Sequence, residues 1–169
     1  MRILIIEDDP YMADCLGRMF KILAPEYGIE FANNLEQGLE ELERVEGVIC
    51  AGSFPSKPLE KTAGPWIALL NWSQVAFRAR ELGRPFILFT RLPATVQTFN
   101  QVHRDGEANG GWLAAAFAKS LPAQRPGEDL VRLEGLEACE TLVGFVRAKV
   151  RAAIPCPPPA GEPGVLARA

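Results

Sequence analysis

The chain has 169 residues, 48% of them hydrophobic and 23% charged, and carries a formal net charge of −3. That length suits one well-packed domain, and that balance excludes wholesale disorder. A mildly acidic chain without a basic stripe or interleaved aromatic residues has no footprint for a nucleic-acid backbone. Nor does any apolar run approach the roughly 20 residues that a bilayer span needs.

Ile3 to Ile6 form a continuous aliphatic run that stops at Glu7-Asp8-Asp9-Pro10, as expected of a strand buried on both faces of a parallel sheet. The start runs straight into acids, with no signal-peptide cleavage region, so a cytoplasmic protein without membrane contact is expected. Met12, Cys15, Leu16, Met19, Phe20 and Leu23 then recur at helical steps, with Asp9 as N-cap, Pro10 at the first position and Pro25 as the stop. Gly28 to Ala32 alternates Ile29 and Phe31 with polar neighbours and reads as an edge strand, and Asn33-Asn34 supplies a turn or a helix cap. Leu35, Leu39, Leu42 and Val45 make the apolar stripe of a second helix that ends before Gly47. Val48 to Ala51 is a third strand.

The segment from Phe54 to Gly64, rich in proline, lysine and serine, reads as a loop, and Trp66 to Leu82 as a helix stopped by Gly83. Phe86-Ile87-Leu88-Phe89 has the unbroken apolar character of a central strand, one that runs on to Thr90. Ala94 to Val102 and Gly111 to Leu121 are expected as two short helices separated by a breaker-rich loop. The first belongs to the regular alternation, and an extra helical insertion spans about 104–127. Asp129 to Leu133 is then the expected fifth strand. Leu136, Cys139, Val143, Val146 and Val150 mark a closing helix, and residues 155–169 a proline-rich disordered tail.

This alternation defines an α/β domain over residues 1–154: a flavodoxin-like, doubly wound, five-stranded parallel sheet with helices on both faces. Such sheets carry their functional groups beyond the carboxyl ends of the strands, which here means after Ile6, Cys50 and Phe89. Cys15, Cys50, Cys139 and Cys156 are scattered, and His103 is the sole histidine, so the thiols are expected reduced and no zinc site is expected.

The opening Ile3-Leu4-Ile5-Ile6-Glu7-Asp8-Asp9-Pro10 resembles the start of response-regulator receiver domains of the CheY-like family, in which an acidic pair follows the first strand. The resemblance equates Glu7 and Asp8 with the family's Mg²⁺-holding carboxylates and Thr90 with its phosphoryl-binding hydroxyl. It leaves Arg132 or Lys119 for the lysine that follows the fifth strand, with the spacing to the last helix favouring Arg132. In Val48-Ile49-Cys50-Ala51-Gly52-Ser53-Phe54-Pro55 the proline stands four residues after Ala51, as it does after the family's phosphoacceptor aspartate. A methyl group neither attacks phosphorus nor ligates a metal. Cys50 should face away from Ala51, and Ser53 has no evident base to activate it.

What the resemblance implies is therefore an atypical pseudo-receiver: no enzyme, with no cofactor and at most weak Mg²⁺ binding at Glu7 and Asp8. In place of the metal, a cation such as Lys119 or Arg132 would pair with the acids and hold one conformation. The module is expected to act through protein–protein contacts in a two-component or phosphorelay pathway, with Trp112 and Phe117 on its interaction surface. A homodimer through the last helix is left open. The competing expectation is a small-molecule sensor whose ligand fills the pocket vacated beside Ala51 and Gly52, with Trp66 and Trp72 as further candidate wall residues.

Overall fold

A computed structural model describes residues 1–57, 70–103, 111–119 and 130–153, the first five of the last segment by backbone alone. The aliphatic run after Met1 forms strand β1, Arg2–Ile6, in which every residue from Ile3 to Ile6 is sealed from solvent. Complete burial of successive residues requires cover on both faces, and the rest of the chain supplies it. Helix α1, Pro10–Leu23, starts where Asp9 Oδ1 accepts from the Tyr11 and Met12 backbone N–H groups at 3.0 and 3.3 Å. Strand β2, Gly28–Ala32, pairs with β1 at the sheet edge, which leaves Phe31 exposed.

Helix α2, Leu35–Glu41, is capped by Asn34, whose Oδ1 accepts from Gln37 N–H at 3.0 Å, and a 3₁₀ turn over Leu42–Arg44 extends it. Strand β3, Gly47–Ala51, and strand β4, Phe86–Thr90, form the buried centre of the sheet, with helix α3, Asn71–Glu81, between them in sequence. Residues 58–69, including Trp66, lie outside the described residues. The turn after α3 is a Schellman motif: Gly83 N–H bonds Arg80 O at 2.9 Å and Arg84 N–H bonds Ala79 O at 2.7 Å. Gly83 makes the reversal at φ +60°, where a Cβ would be strained.

Helix α4, Pro93–His103, follows β4 and falls where a helix is expected. The second expected helix is not formed: Ala114–Ala118 is strand β5, which pairs in parallel with β4 from Phe86↔Ala114 to Thr90↔Ala118. The expected fifth strand, Asp129 to Leu133, is likewise replaced, because helix α5 begins at Leu130 and runs to Ala153. The segment assigned to a helical insertion thus contains the last strand itself, while 104–110 and 120–129 lie outside the described residues. The physical reason is tertiary. Alanines are strong helix formers, but an edge position beside β4 satisfies their backbone groups and lets α4 and α5 approach closely over small side chains.

The sheet order is β2-β1-β3-β4-β5, all parallel, which is the flavodoxin-like doubly wound arrangement. Leu4, Ile6, Val48, Cys50, Phe86 and Leu88 pack one face against α2, α3 and α4, and Ile3, Ile5, Ile49, Ile87 and Phe89 pack the other against α1 and α5. Trp72 is 5% exposed, with its ring 5.8 Å from Phe99, so it is a core residue and not the wall of a ligand pocket. The expected tail, 155–169, lies outside the described residues, as does Cys156. Among the described residues no helix is long and apolar enough to cross a membrane.

Candidate functional site

The order of strands reverses between β1 and β3, and the groups beyond their carboxyl ends meet there. Ile6 pairs with Cys50 and Ala51 with Phe89, so Glu7 and Ala51 stand level on neighbouring strands. Thr90 pairs with Ala118, which puts Lys119 one step beyond on the adjacent strand. Glu7, Asp8, Ala51, Thr90 and Lys119 thus line one pocket of about 300 Å³, together with Ser53 and Arg91.

The three consecutive acids have separate fates. Glu7 turns inward and forms an ion pair with Lys119, in which each side chain is only 5% exposed. Asp8 remains exposed, and Asp9 is the α1 cap, with its Oδ2 also 3.7 Å from Arg91 Nη2. Burial pushes the Glu7 carboxyl above its ordinary value, while the Lys119 charge and hydrogen bond and the Asp9 backbone N–H pull it back. Lys119 is further fixed by its own backbone N–H, which donates to Thr90 O at 2.6 Å, and by the Phe89 ring, 5.0 Å from its Nζ.

Lys119, at the end of β5, is therefore the cation paired with Glu7. Arg132 belongs to the first turn of α5 and not to the end of a strand. Residue type pointed to Lys119, and the misplaced fifth strand hid it. Arg91, next to Thr90 on the pocket wall, is not among the residues expected at the site, and its position directly after a strand-end hydroxyl is the one signal of it in the sequence.

Thr90 is 2% exposed, and its Oγ1 accepts from Leu92 N–H at 3.2 Å. A Cβ built on Gly52 would lie 2.0 Å from that Oγ1 and 2.4 Å from the Thr90 Cβ. Gly52 is thus required by the close approach of two strand ends. Gly52→Ala is expected to cost about 1–3 kcal/mol, because a β-branched neighbour held in a strand has little freedom to withdraw. Urea unfolding checks this, and unchanged stability would show that the β3–β4 ends can separate at no cost.

The loop after β3 is tied down on both sides. Phe54 is buried, its carbonyl accepts from Asn71 Nδ2 at 2.7 Å, and Pro55 and Ser56 carbonyls accept from the first N–H groups of α2 at 2.9 and 3.2 Å. Cys50 is sealed in the core, where burial raises its thiol well above its ordinary value and suppresses the thiolate. Trp112 and Phe117 are both half-buried. Trp112 donates from Nε1 to Arg84 O at 2.6 Å, and Phe117 packs against the face that contains Ile87 and Phe89.

The fold is that of receiver domains. The chain is similar in structure to the receiver domain of the Francisella response regulator 1452, at 12% identity over 88% of this chain and 98% of that one, with a TM-score of 0.50. A signal receiver domain from Vibrio parahaemolyticus matches at 13% identity over 90% and 96% of the two chains, with a TM-score of 0.50. A de novo designed Rossmann 2x3 fold protein reaches a TM-score of 0.53 at 9% identity, over 85% and 89%. Likeness at this level of identity is a statement about architecture. No family model and no curated protein sequence matches the chain.

Proposed function

We propose that this protein is a non-phosphorylatable pseudo-receiver, a non-enzymatic signalling module of a two-component or phosphorelay pathway that acts by binding another signalling protein. The observation that carries this reading is Ala51, at the carboxyl end of β3 and level with Glu7, where a phosphoacceptor carboxylate would stand. The residues do not fit Mg²⁺. That cation wants several oxygen ligands, whereas Glu7 is already neutralised by Lys119 and position 51 offers a methyl group. The fixed ion pair holds the strand ends in one arrangement, so partner binding is independent of phosphoryl donors.

Incubation with acetyl phosphate and Mg²⁺, followed by intact-mass measurement, tests this. No added phosphoryl group is expected, and the affinity for the partner should be the same before and after the incubation. A stable phosphoryl adduct on the native chain would sink the reading.

A second reading, a ligand sensor, is favoured by one specific feature. The pocket of about 300 Å³ sets Lys119 and Arg91 near Glu7, Asp8 and Asp9, a lining suited to a small zwitterion. Ala51→Leu distinguishes the two by filling that space. Partner binding should persist in this variant under the first reading and lose its ligand response under the second.

A further inference from the structure

The sheet order leaves β2 on the outside, and its outer edge is open among the described residues. Gly28 N–H donates to Met1 O at 2.9 Å and Ala32 O accepts from Glu7 N–H at 3.0 Å, so Gly28, Glu30 and Ala32 turn their backbone groups towards β1. Alternation along the strand then turns the N–H and C=O groups of Ile29 and Phe31 outward. On either side the chain satisfies itself: Tyr27 N–H donates to Ala24 O at 3.0 Å, and Asn33 N–H to Gln37 Oε1 at 3.4 Å. The register runs unbroken from Arg2↔Gly28 to Ile6↔Ala32 and the strand contains no proline, so neither a bulge nor a proline blocks the edge.

The two faces of this edge differ. Ile29 and Phe31 lie on the side of α1, where the Phe31 ring is set against the helix: a Cβ built on Gly17 would lie 2.9 Å from Phe31 Cζ. The ring is nevertheless 53% exposed. Glu30, level with Leu4, lies on the opposite face. Its ion pair with Arg2 is 3.8 Å long, with the two side chains 42% and 45% exposed, and so leaves it open to a further cation. The surroundings are acidic, since residues 1–46 hold eleven Asp and Glu against four Lys and Arg. Arg18, Lys119 and Arg147 pair with Asp14, Glu7 and Glu26, but Asp8, Glu36 and Glu40 are exposed and make no ion pair among the described residues. Where β2 ends, Phe31, Gln37, Asp8 and Asp14 line a groove of about 630 Å³.

We propose that the β2 edge accepts an extended segment of a protein partner as a sixth strand, one in which basic and apolar residues alternate. Main-chain hydrogen bonds to Ile29 and Phe31 hold the segment, its apolar residues lie beside those two side chains, and its Lys or Arg residues lie on the side of Glu30. The charge selects a basic partner over a second copy of this chain, because two-fold pairing of β2 about Glu30 would set that carboxylate directly against its own copy. The inference gives the interaction proposed above its surface and its partner chemistry, and it rests on that reading in requiring a protein partner. It involves neither Ala51 nor the Glu7–Lys119 pair.

The test is a titration of the isotope-labelled full chain with acetyl-Lys-Val-Lys-Val-Lys-amide, and with acetyl-Glu-Val-Glu-Val-Glu-amide as its acidic match, followed by backbone amide resonances and hydrogen exchange. The basic peptide should shift the Ile29 and Phe31 amides saturably and slow their exchange, and the acidic peptide should do neither. Glu30→Lys should weaken binding of the basic peptide about tenfold by turning attraction into repulsion. Phe31→Pro should abolish it by removing an outward N–H that β1 does not use. Should the proline variant fail to fold, Glu30→Lys, at a part-exposed side chain, decides the matter. Equal affinity for the two peptides, shifts centred away from Ile29 and Phe31, or full affinity in Glu30→Lys would overturn the proposal, and would leave standing the absence of phosphoryl transfer, which is read separately by mass. Shifts that depend on protein concentration without peptide would show that a second copy takes the edge, and would overturn it too.

Discussion

Replacing Lys119 by methionine should destabilise the protein by about 3–5 kcal/mol at neutral pH, because it strands the Glu7 carboxylate in a site with almost no access to water. The loss is not a measure of what the pair contributes. A buried ion pair roughly offsets its own desolvation, and the large cost comes from leaving one member behind. Glu7→Met combined with Lys119→Met removes both charges and should return most of the stability. The pair of variants therefore separates stranded charge from lost packing.

The loss should also depend on pH in a definite direction. Glu7 binds its proton at higher pH in the folded chain than its ordinary value of 4.5, so the folded state is the better proton acceptor at this position. Stability at this site accordingly rises as pH falls from neutrality towards that value, and it is lost again as pH rises through the folded value. In Lys119→Met the charge that pulls Glu7 downward is gone, the carboxyl moves further up, and acidification relieves the defect. Urea unfolding of native and variant protein between neutral pH and pH 4.5 should show the gap between them closing. A loss of constant size would show that packing, and not the stranded carboxylate, causes it.

Ala51→Asp should give the same pocket a carboxylate at the end of β3 and a reactivity towards phosphoryl donors. The new carboxylate would stand beside Glu7 and Asp8 in a position that is now 4% exposed, so like-charge repulsion should lower the melting temperature in metal-free buffer. The same crowding creates a set of oxygen ligands for Mg²⁺. Added Mg²⁺ should then restore stability by mass action, by about 2.7 kcal/mol at a hundred times the dissociation constant, whereas native protein should not respond. With Lys119 and Thr90 already in place, the variant should also gain the mass of one phosphoryl group from acetyl phosphate. A variant that remains metal-blind and unmodified would locate the block in the Glu7–Lys119 pair instead of at residue 51 alone.

Much of this site is written in local pattern. The aliphatic run of β1, the acids that end it, Asp9 with Pro10 at the start of α1, and Thr90 closing β4 are each legible from neighbouring residues, because burial on both faces and helix capping act over a few positions. That position 51 carries a methyl group at the end of a strand is visible for the same reason, since Pro55 and the residues before it mark the start of the loop that follows. The fifth strand is the contrasting case. Ala114 to Ala118 carries four alanines and no alternation, so its local preference is helical, and Leu130 to Leu133 looks like a strand only when cut off from the helical spacing that continues through Leu136 and Cys139.

From its sequence alone, then, this protein was determined to be a doubly wound parallel α/β domain with an acidic strand end and no carboxylate at residue 51. What only the tertiary structure decided was which segment closes the sheet, and hence that Lys119 is the cation facing Glu7. An edge strand is selected by hydrogen bonds to β4 and by the fit of small side chains between two helices, contacts between residues far apart in the chain that no window of neighbouring residues contains.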